Sequence, residues 1–225
     1  MTQGAGMDGT LRASILGRVD RYYTSALERH GPTARGADWN SAESQALRFD
    51  MLLRLLPEPG PAAAPAPSFN DYGCGYGALL DHLRRAGLDG AYCGFDVSAG
   101  MVAAARTLHG GREGAAFTGD EAGLLPADYT LASGTFNVKQ DVDEATWRAY
   151  VLDTLERMRA VSRRGFAFNC LTAHADPERR RSDLFYADPV DLFEHCRRAF
   201  SRRVALLHDY PLFEFTVLVR VDEAR

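Results

Sequence analysis

One stretch restricts this chain more than any other: Phe69-Asn70-Asp71-Tyr72-Gly73-Cys74-Gly75-Tyr76-Gly77-Ala78-Leu79-Leu80. It reads as a short strand, a glycine bend and the first turns of a helix. Glycines at 73, 75 and 77 remove the Cβ from alternate positions of the bend, so the backbone can turn tightly and a ligand can approach it. The N–H groups that open the following helix point into the same crevice. Asp96 ends the next strand-like run, Ala91–Asp96, and sets a carboxylate where a ribose diol would lie in a βαβ nucleotide site. Two readings of the bend stay open on these residues. Gly73-x-Gly75-x-x-Ala78 satisfies the dinucleotide fingerprint with Ala in the last Gly place, which predicts an NAD(P)-dependent oxidoreductase. The other reading takes in Asp71 and all three glycines, and needs the rest of the chain.

At 225 residues and 46% hydrophobic content the chain can bury one substantial core. A net charge of −4, with no appended basic segment, argues against a nucleic-acid partner. Lys139 is the only lysine, a bias that fits genome base composition better than function. Cys74, Cys93, Cys170 and Cys196 are scattered without a CxxC pair. Neither a metal site nor a disulfide framework is expected, and a reducing cytoplasm fits best. No apolar run reaches the roughly 18 residues of a membrane-spanning helix, so no membrane association is expected. Met1–Thr10 is Gly-rich and lacks a basic segment followed by an apolar core; it reads as a disordered tail and not a secretory signal.

Leu11–His30 carries a helical apolar stripe stopped by Gly31-Pro32, and a second helix starts near Asn40 or Ser41, with Glu43 completing a capping-box-like pair if Asn40 is the cap. Pro57–Pro67 is a Pro/Ala linker. Residues 11–67 thus form a helical lid and linker, and 68–225 the nucleotide-site domain. Strands are predicted at Ser68–Tyr72, Ala91–Asp96, Ala115–Thr118, Tyr129–Ser133 and Gly165–Leu171. Helices are predicted at Gly77–Ala86, Ala99–Leu108, Glu144–Val161 and Pro189–Phe200. Such alternation predicts an α/β fold around a doubly wound parallel sheet. Val204–Leu207 and Phe213–Val219 are joined too closely for a parallel crossover, so an antiparallel hairpin closes the sheet.

Asp71-x-Gly73-x-Gly75-x-Gly77 resembles motif I of the class I S-adenosylmethionine-dependent methyltransferases, with Cys74 and Tyr76 bulkier than that motif usually has. Asp96 matches their ribose-binding acid, Gly119-Asp120 the position facing the adenine amino group, and Leu131–Val138 the motif lining the methyl end. Trp39-x-Ser41, Gln45, Arg48-Phe49 and Leu206–Tyr210 resemble bacterial small-molecule or sugar-type members. The resemblance covers about Trp39 to Arg220 and implies a Rossmann-like sheet, S-adenosylmethionine as cofactor and a small-molecule O- or N-acceptor. It assigns Asp71, Gly73, Gly75, Gly77, Asp96, Val97, Met101, Gly119, Asp120, Ser133, Gly134, Arg48 and Trp39 to the cofactor. Arg48 would fork onto the cofactor carboxylate. Val97 and Met101, with Phe95, would flank the adenine.

Asn137, Tyr186 and Tyr210 would face the acceptor, with Tyr23 and Trp39 covering its pocket. A base is needed only for a hydroxyl or protonated-amine acceptor, and His208, His174 and Asp209 are the candidates at strand ends. Each has a structural alternative: a polar turn for His208-Asp209-Tyr210, a helix cap for Asp96, a solvated loop for Asp120, a surface ion pair for Arg48. Asp188 reads as the cap of the helix opened by Pro189. The run Glu178–Arg181 is a solvated loop or a grip for a phosphate on the acceptor. A non-enzymatic nucleotide-binding module is the third reading, and a homodimer is left open beside a monomer.

Overall fold

The computed structural model describes residues 6–57 and 65–221. Two helices, α1 (Gly9–His30) and α2 (Ala42–Leu53), precede an alternating unit. That unit runs β1 (Phe69–Tyr72), α3 (Ala78–Arg85), β2 (Tyr92–Phe95), α4 (Ala99–His109), β3 (Ala115–Thr118), β4 (Ala127–Ala132), α5 (Glu144–Ala160) and β5 (Ser162–Thr172). It ends with β6 (Tyr186–Ala187), α6 (Pro189–Ala199), β7 (Arg203–Leu207) and β8 (Glu214–Arg220). The sheet order is β3-β2-β1-β4-β5-β8-β7, with the short β6 beside β5. Strands β1 to β6 pair in parallel, and β8 runs antiparallel between β5 and β7.

Both faces are covered, so parallel strands read as nearly continuous apolar runs. Alternation along β5 and β8 sorts the faces: Phe166, Phe168, Phe215 and Val217 join Ile15 of α1, Trp147 and Leu155 of α5 and Leu192 of α6. Ala167 and Leu218 face the other way, onto Leu52 of α2, Leu80 and Leu83 of α3 and Val102 of α4. The N-terminal helices are therefore built into the core rather than resting on it. Arg12 of α1 is buried and donates to the Tyr72 hydroxyl at 3.0 Å, while pairing with Glu121 at 3.0 Å and Asp153 at 3.3 Å.

Caps end the helices where the sequence places polar residues. Ser41 caps α2 by accepting from Ser44 N–H, so Ser41 holds the place and the Asn40–Glu43 pair is not used. Ser98, Asp143 and Asp188 cap α4, α5 and α6. The expected free tail is corrected in part. Asp8 caps α1 by accepting from Leu11 N–H, the Met7 N–H donates to Asp153 at 3.2 Å, and the helix begins at Gly9. Residues 1–5 of that tail and 58–64 of the linker lie outside the described residues.

Candidate active site

The strand order reverses between β1 and β4, and ligands in open α/β sheets bind outside the carboxyl ends at such a point. A cavity of about 800 Å³ lies there, walled by the glycine bend, Asp71, Asp96, Val97, Met101 and Ser133–Thr135. Gly73, Gly75 and Gly77 all adopt left-handed backbone, at φ +82°, +52° and +87°. Their uses differ. A Cβ on Gly73 would meet Thr135 Oγ1 at 2.6 Å, and one on Gly77 would meet the His109 ring at 2.7 Å, whereas Gly75 faces open space. Two glycines serve packing; one leaves room for a ligand.

Asp96 follows β2 with little exposure, accepting from Gly75 N–H at 2.8 Å on one oxygen and Ser98 N–H at 2.9 Å on the other. Ser98 takes the cap of α4, so Asp96 is not that cap. Each carboxylate oxygen has a second acceptor site, enough for the two hydroxyls of a diol. Burial pushes Asp96 up to about 6, against the pull of those two amides. Asp71 is buried at the end of β1, where Tyr92 donates to it at 2.6 Å; burial outweighs this bond and raises it to about 7. The outer wall comes from the N-terminal segment: Leu16, Val19, Tyr23, Trp39, Gln45 and Phe49. Tyr76 donates to Gln45 Oε1 at 3.1 Å and ties that wall to the glycine bend.

A second cavity, of about 1120 Å³, adjoins the first across Tyr23, Ala37, Trp39 and Gly134, which line both. Asn137, Tyr186, Arg48, Glu214 and Phe213 also line it. Asn137 is buried, accepting from Leu171 N–H at 3.3 Å. The two cavities thus meet past Trp39, the first bordered by the Asp96 carboxylate and the glycine bend.

No family model matches the chain. Over 158 residues it is 51% identical to a Mycobacterium tuberculosis protein named "Putative methyltransferase Rv1506c", covering 70% of this chain and 95% of that relative. The chain belongs to the methyltransferase family of that relative. The fold agrees. Magnesium protoporphyrin IX methyltransferase (ChlM) from Synechocystis PCC 6803, solved with bound SAH, superposes at TM-score 0.60 with 13% identity, covering 94% of this chain and 100% of that one. A DhpI–SAH complex superposes at 0.57 with 18% identity, covering 96% and 99%. The oxidoreductase reading of the glycine bend is accordingly not favoured.

For this methyltransferase the geometry gathers Asp71, Gly73, Gly75, Asp96, Val97, Met101, Ser133, Gly134 and Trp39 about the first cavity, and Asn137 and Tyr186 about the second, while Gly77 packs against His109 and lines neither. Other candidates are engaged differently. Arg48 does not present a free guanidinium: it is buried and forked onto Glu214, with Nε at 2.8 Å and Nη2 at 2.5 Å. Gly119 and Asp120 are exposed and line neither cavity. Asp120 instead caps the 3-10 turn Glu121–Gly123 through Ala122 N–H at 3.0 Å.

His208, His174 and Asp209 are also exposed and outside both cavities. His208 and Asp209 follow β7, the sheet's edge strand, and β8 stands between that strand and β5. The His174 and His208 rings lie 6.0 Å apart, away from the cavities. Tyr210 turns inward, its hydroxyl 3.0 Å from Thr216 Oγ1. The residues that sequence reasoning missed are Glu214 and Asn169, while Thr135, inside the Leu131–Val138 stretch, was given no role of its own. Thr135 donates to Tyr72 O at 2.8 Å and so braces the glycine bend against the β4 loop.

Proposed function

We propose that the chain binds S-adenosyl-L-methionine in the first cavity and methylates an oxygen or nitrogen of a small molecule, of sugar or natural-product type, seated in the second. The observation that carries this is Asp96: buried at the end of β2, held by the Gly75 and Ser98 amides, with acceptor capacity left over beside the open Gly75. Asp96 would grip the ribose diol, Val97 and Met101 flank the adenine, and Asp71 meet the ammonium group. Ser133 and Gly134 would border the methyl end. The cofactor supplies an activated sulfonium methyl, and S-adenosylhomocysteine is the product.

The chain's own contribution is alignment. Trp39, Tyr23 and Gly134 hold the two cavities in register and exclude water between them. Proximity and orientation supply on the order of 7–11 kcal/mol in well-aligned systems, so a base inside the site is not a requirement of the fold. Cys74, Cys93, Cys170 and Cys196 are scattered along the chain without a CxxC pair, and that spacing supports a reducing, cytoplasmic setting. Among the described residues no helix is long and apolar enough to cross a membrane.

Calorimetric titration with S-adenosylhomocysteine tests the reading directly. Saturable binding to folded protein, and transfer of labelled methyl from S-adenosylmethionine to a small molecule in cell extract, are the expected results. Binding of NAD(H) with no binding of S-adenosylhomocysteine would reverse it.

The raised carboxyls add a pH dependence. Between about pH 4 and 7 native Asp71 and Asp96 hold protons that the unfolded chain has already released. Their contribution to stability is therefore greatest at low pH and lost as pH rises through 6 to 7. Ligand affinity runs the opposite way, because an ammonium group wants Asp71 ionised. Affinity for S-adenosylhomocysteine is expected to rise about tenfold from pH 5.5 to 7.5. An Asp71→Asn variant should flatten that slope in the same titration.

A further inference from the structure

Five residues from five parts of the chain close into a ring around the boundary between the cavities. The Arg48 guanidinium lies 4.2 Å from the centre of the Trp39 ring. Its Nε and Nη2 donate to Glu214, which also accepts from Asn169 Nδ2 at 2.7 Å. Asn169 Oδ1 in turn accepts the Gly134 N–H at 2.7 Å. Gly134, at φ +71°, returns to Trp39: a Cβ there would lie 2.2 Å from the indole Cη2. Trp39 and Gly134 line both cavities. Glu214 is 1% exposed and both its oxygens are taken.

We infer that Glu214 is a positioning residue that fixes the aperture between the two cavities, acting through Arg48 on Trp39 and through Asn169 on Gly134. The inference rests on the reading that the first cavity takes the cofactor and the second the acceptor. A carboxylate with every oxygen occupied is poorly placed to take a proton, but well placed to hold two donors at a set separation. The pair also reaches across the fold, joining α2 at its outer wall to the head of β8, while Asn169 brings in β5 and the loop after β4. Trp39 cannot swing without losing the guanidinium beneath it, and the Gly134 loop cannot shift without leaving an amide unpaired.

A plain structural staple would hold α2 on the sheet and nothing more. The paired replacement Arg48→Met with Glu214→Leu separates the two roles, because apolar residues of similar volume can substitute for a buried ion pair without unfolding the chain. Two readouts apply. Acrylamide quenching reports Trp39, since the second tryptophan, Trp147, is 1% exposed. Titration with S-adenosylhomocysteine reports the cofactor side.

In the folded double variant, Trp39 quenching is expected to rise about threefold and affinity to fall about tenfold. Values of either readout within about twofold of wild type overturn the inference and leave only a staple. If the double variant fails to fold, Asn169→Leu cuts the Gly134 arm while leaving the ion pair on Trp39 intact, so affinity is expected to fall about tenfold with quenching near wild type, and an affinity within about twofold of wild type overturns the inference. Should the wild type itself not bind S-adenosylhomocysteine, the cofactor reading fails, and Trp39 quenching alone then decides the aperture.

Discussion

Asp96→Asn is expected to weaken S-adenosylhomocysteine binding about 100-fold, or roughly 2.8 kcal/mol, while the protein stays folded. The side chain keeps its volume but loses the charge, and one of its two acceptor atoms becomes a donor. The surviving oxygen can serve the Gly75 or the Ser98 amide but not both, and the diol then faces an N–H in place of a lone pair. A charge-assisted hydrogen bond is worth about 1.5–3 kcal/mol, so losing one accounts for the drop. Folding should survive the change: the backbone amide left without an acceptor costs about 1–3 kcal/mol, offset in part because the native carboxyl is already pushed to about 6 by burial and an amide carries no such penalty. Calorimetry at pH 7.5 reads the affinity and thermal melting the fold. An affinity within threefold of wild type would remove Asp96 from the ribose site.

Gly77→Ala should act on the fold instead, lowering stability by about 3 kcal/mol. Two effects combine. The residue sits at φ +87°, where a Cβ is strained, and the added carbon would lie 2.7 Å from His109 Cδ2. His109 has nowhere to go: it is 4% exposed, stacks on Phe117 with ring centres 5.7 Å apart, and its Nε2 is 3.1 Å from Tyr76 O. At roughly 2–4 °C per kcal/mol for a chain of this size, the melting temperature should fall by about 6–12 °C. Gly75→Ala is the contrasting variant. Its Cβ meets nothing within 4 Å, so beyond the backbone strain at φ +52° it enters the cavity and should cost ligand affinity more than stability. A Gly77→Ala protein that melts with the wild type would show that the bend can relax around His109.

What the sequence discloses and what it hides divide along physical lines. The β1–glycine–α3 unit, Asp96 and the closing hairpin are local signals, each written within a few residues, and all reappear in the fold at nearly the expected bounds. The two-residue β6 has no periodicity to detect. Arg48 was legible as a special residue, but its partner lies 166 positions away, and a helix-spacing argument finds only Ser44 and Glu43 nearby. The one trace of Glu214 in the sequence is an acid set between Phe213 and Phe215 at the head of an apolar strand. His208 drew attention through its neighbours Asp209 and Tyr210, yet adjacency along the chain says nothing about facing a cavity when the strand before it is the sheet's edge. Asp120 shows a third kind of ambiguity: an acid after a strand can serve a ligand or start a turn, and here it starts a turn.

The placement of β8 bears on how such a molecule is made. Phe215, Thr216, Val217 and Val219 are fully enclosed between strands that emerge from the ribosome earlier. Until residue 214 has been synthesised, β5 offers an unsatisfied edge to the cell and β7 has no neighbour to join. A translational stall before β8 emerges would therefore release a sticky, half-zipped species that calls on chaperones until that strand arrives.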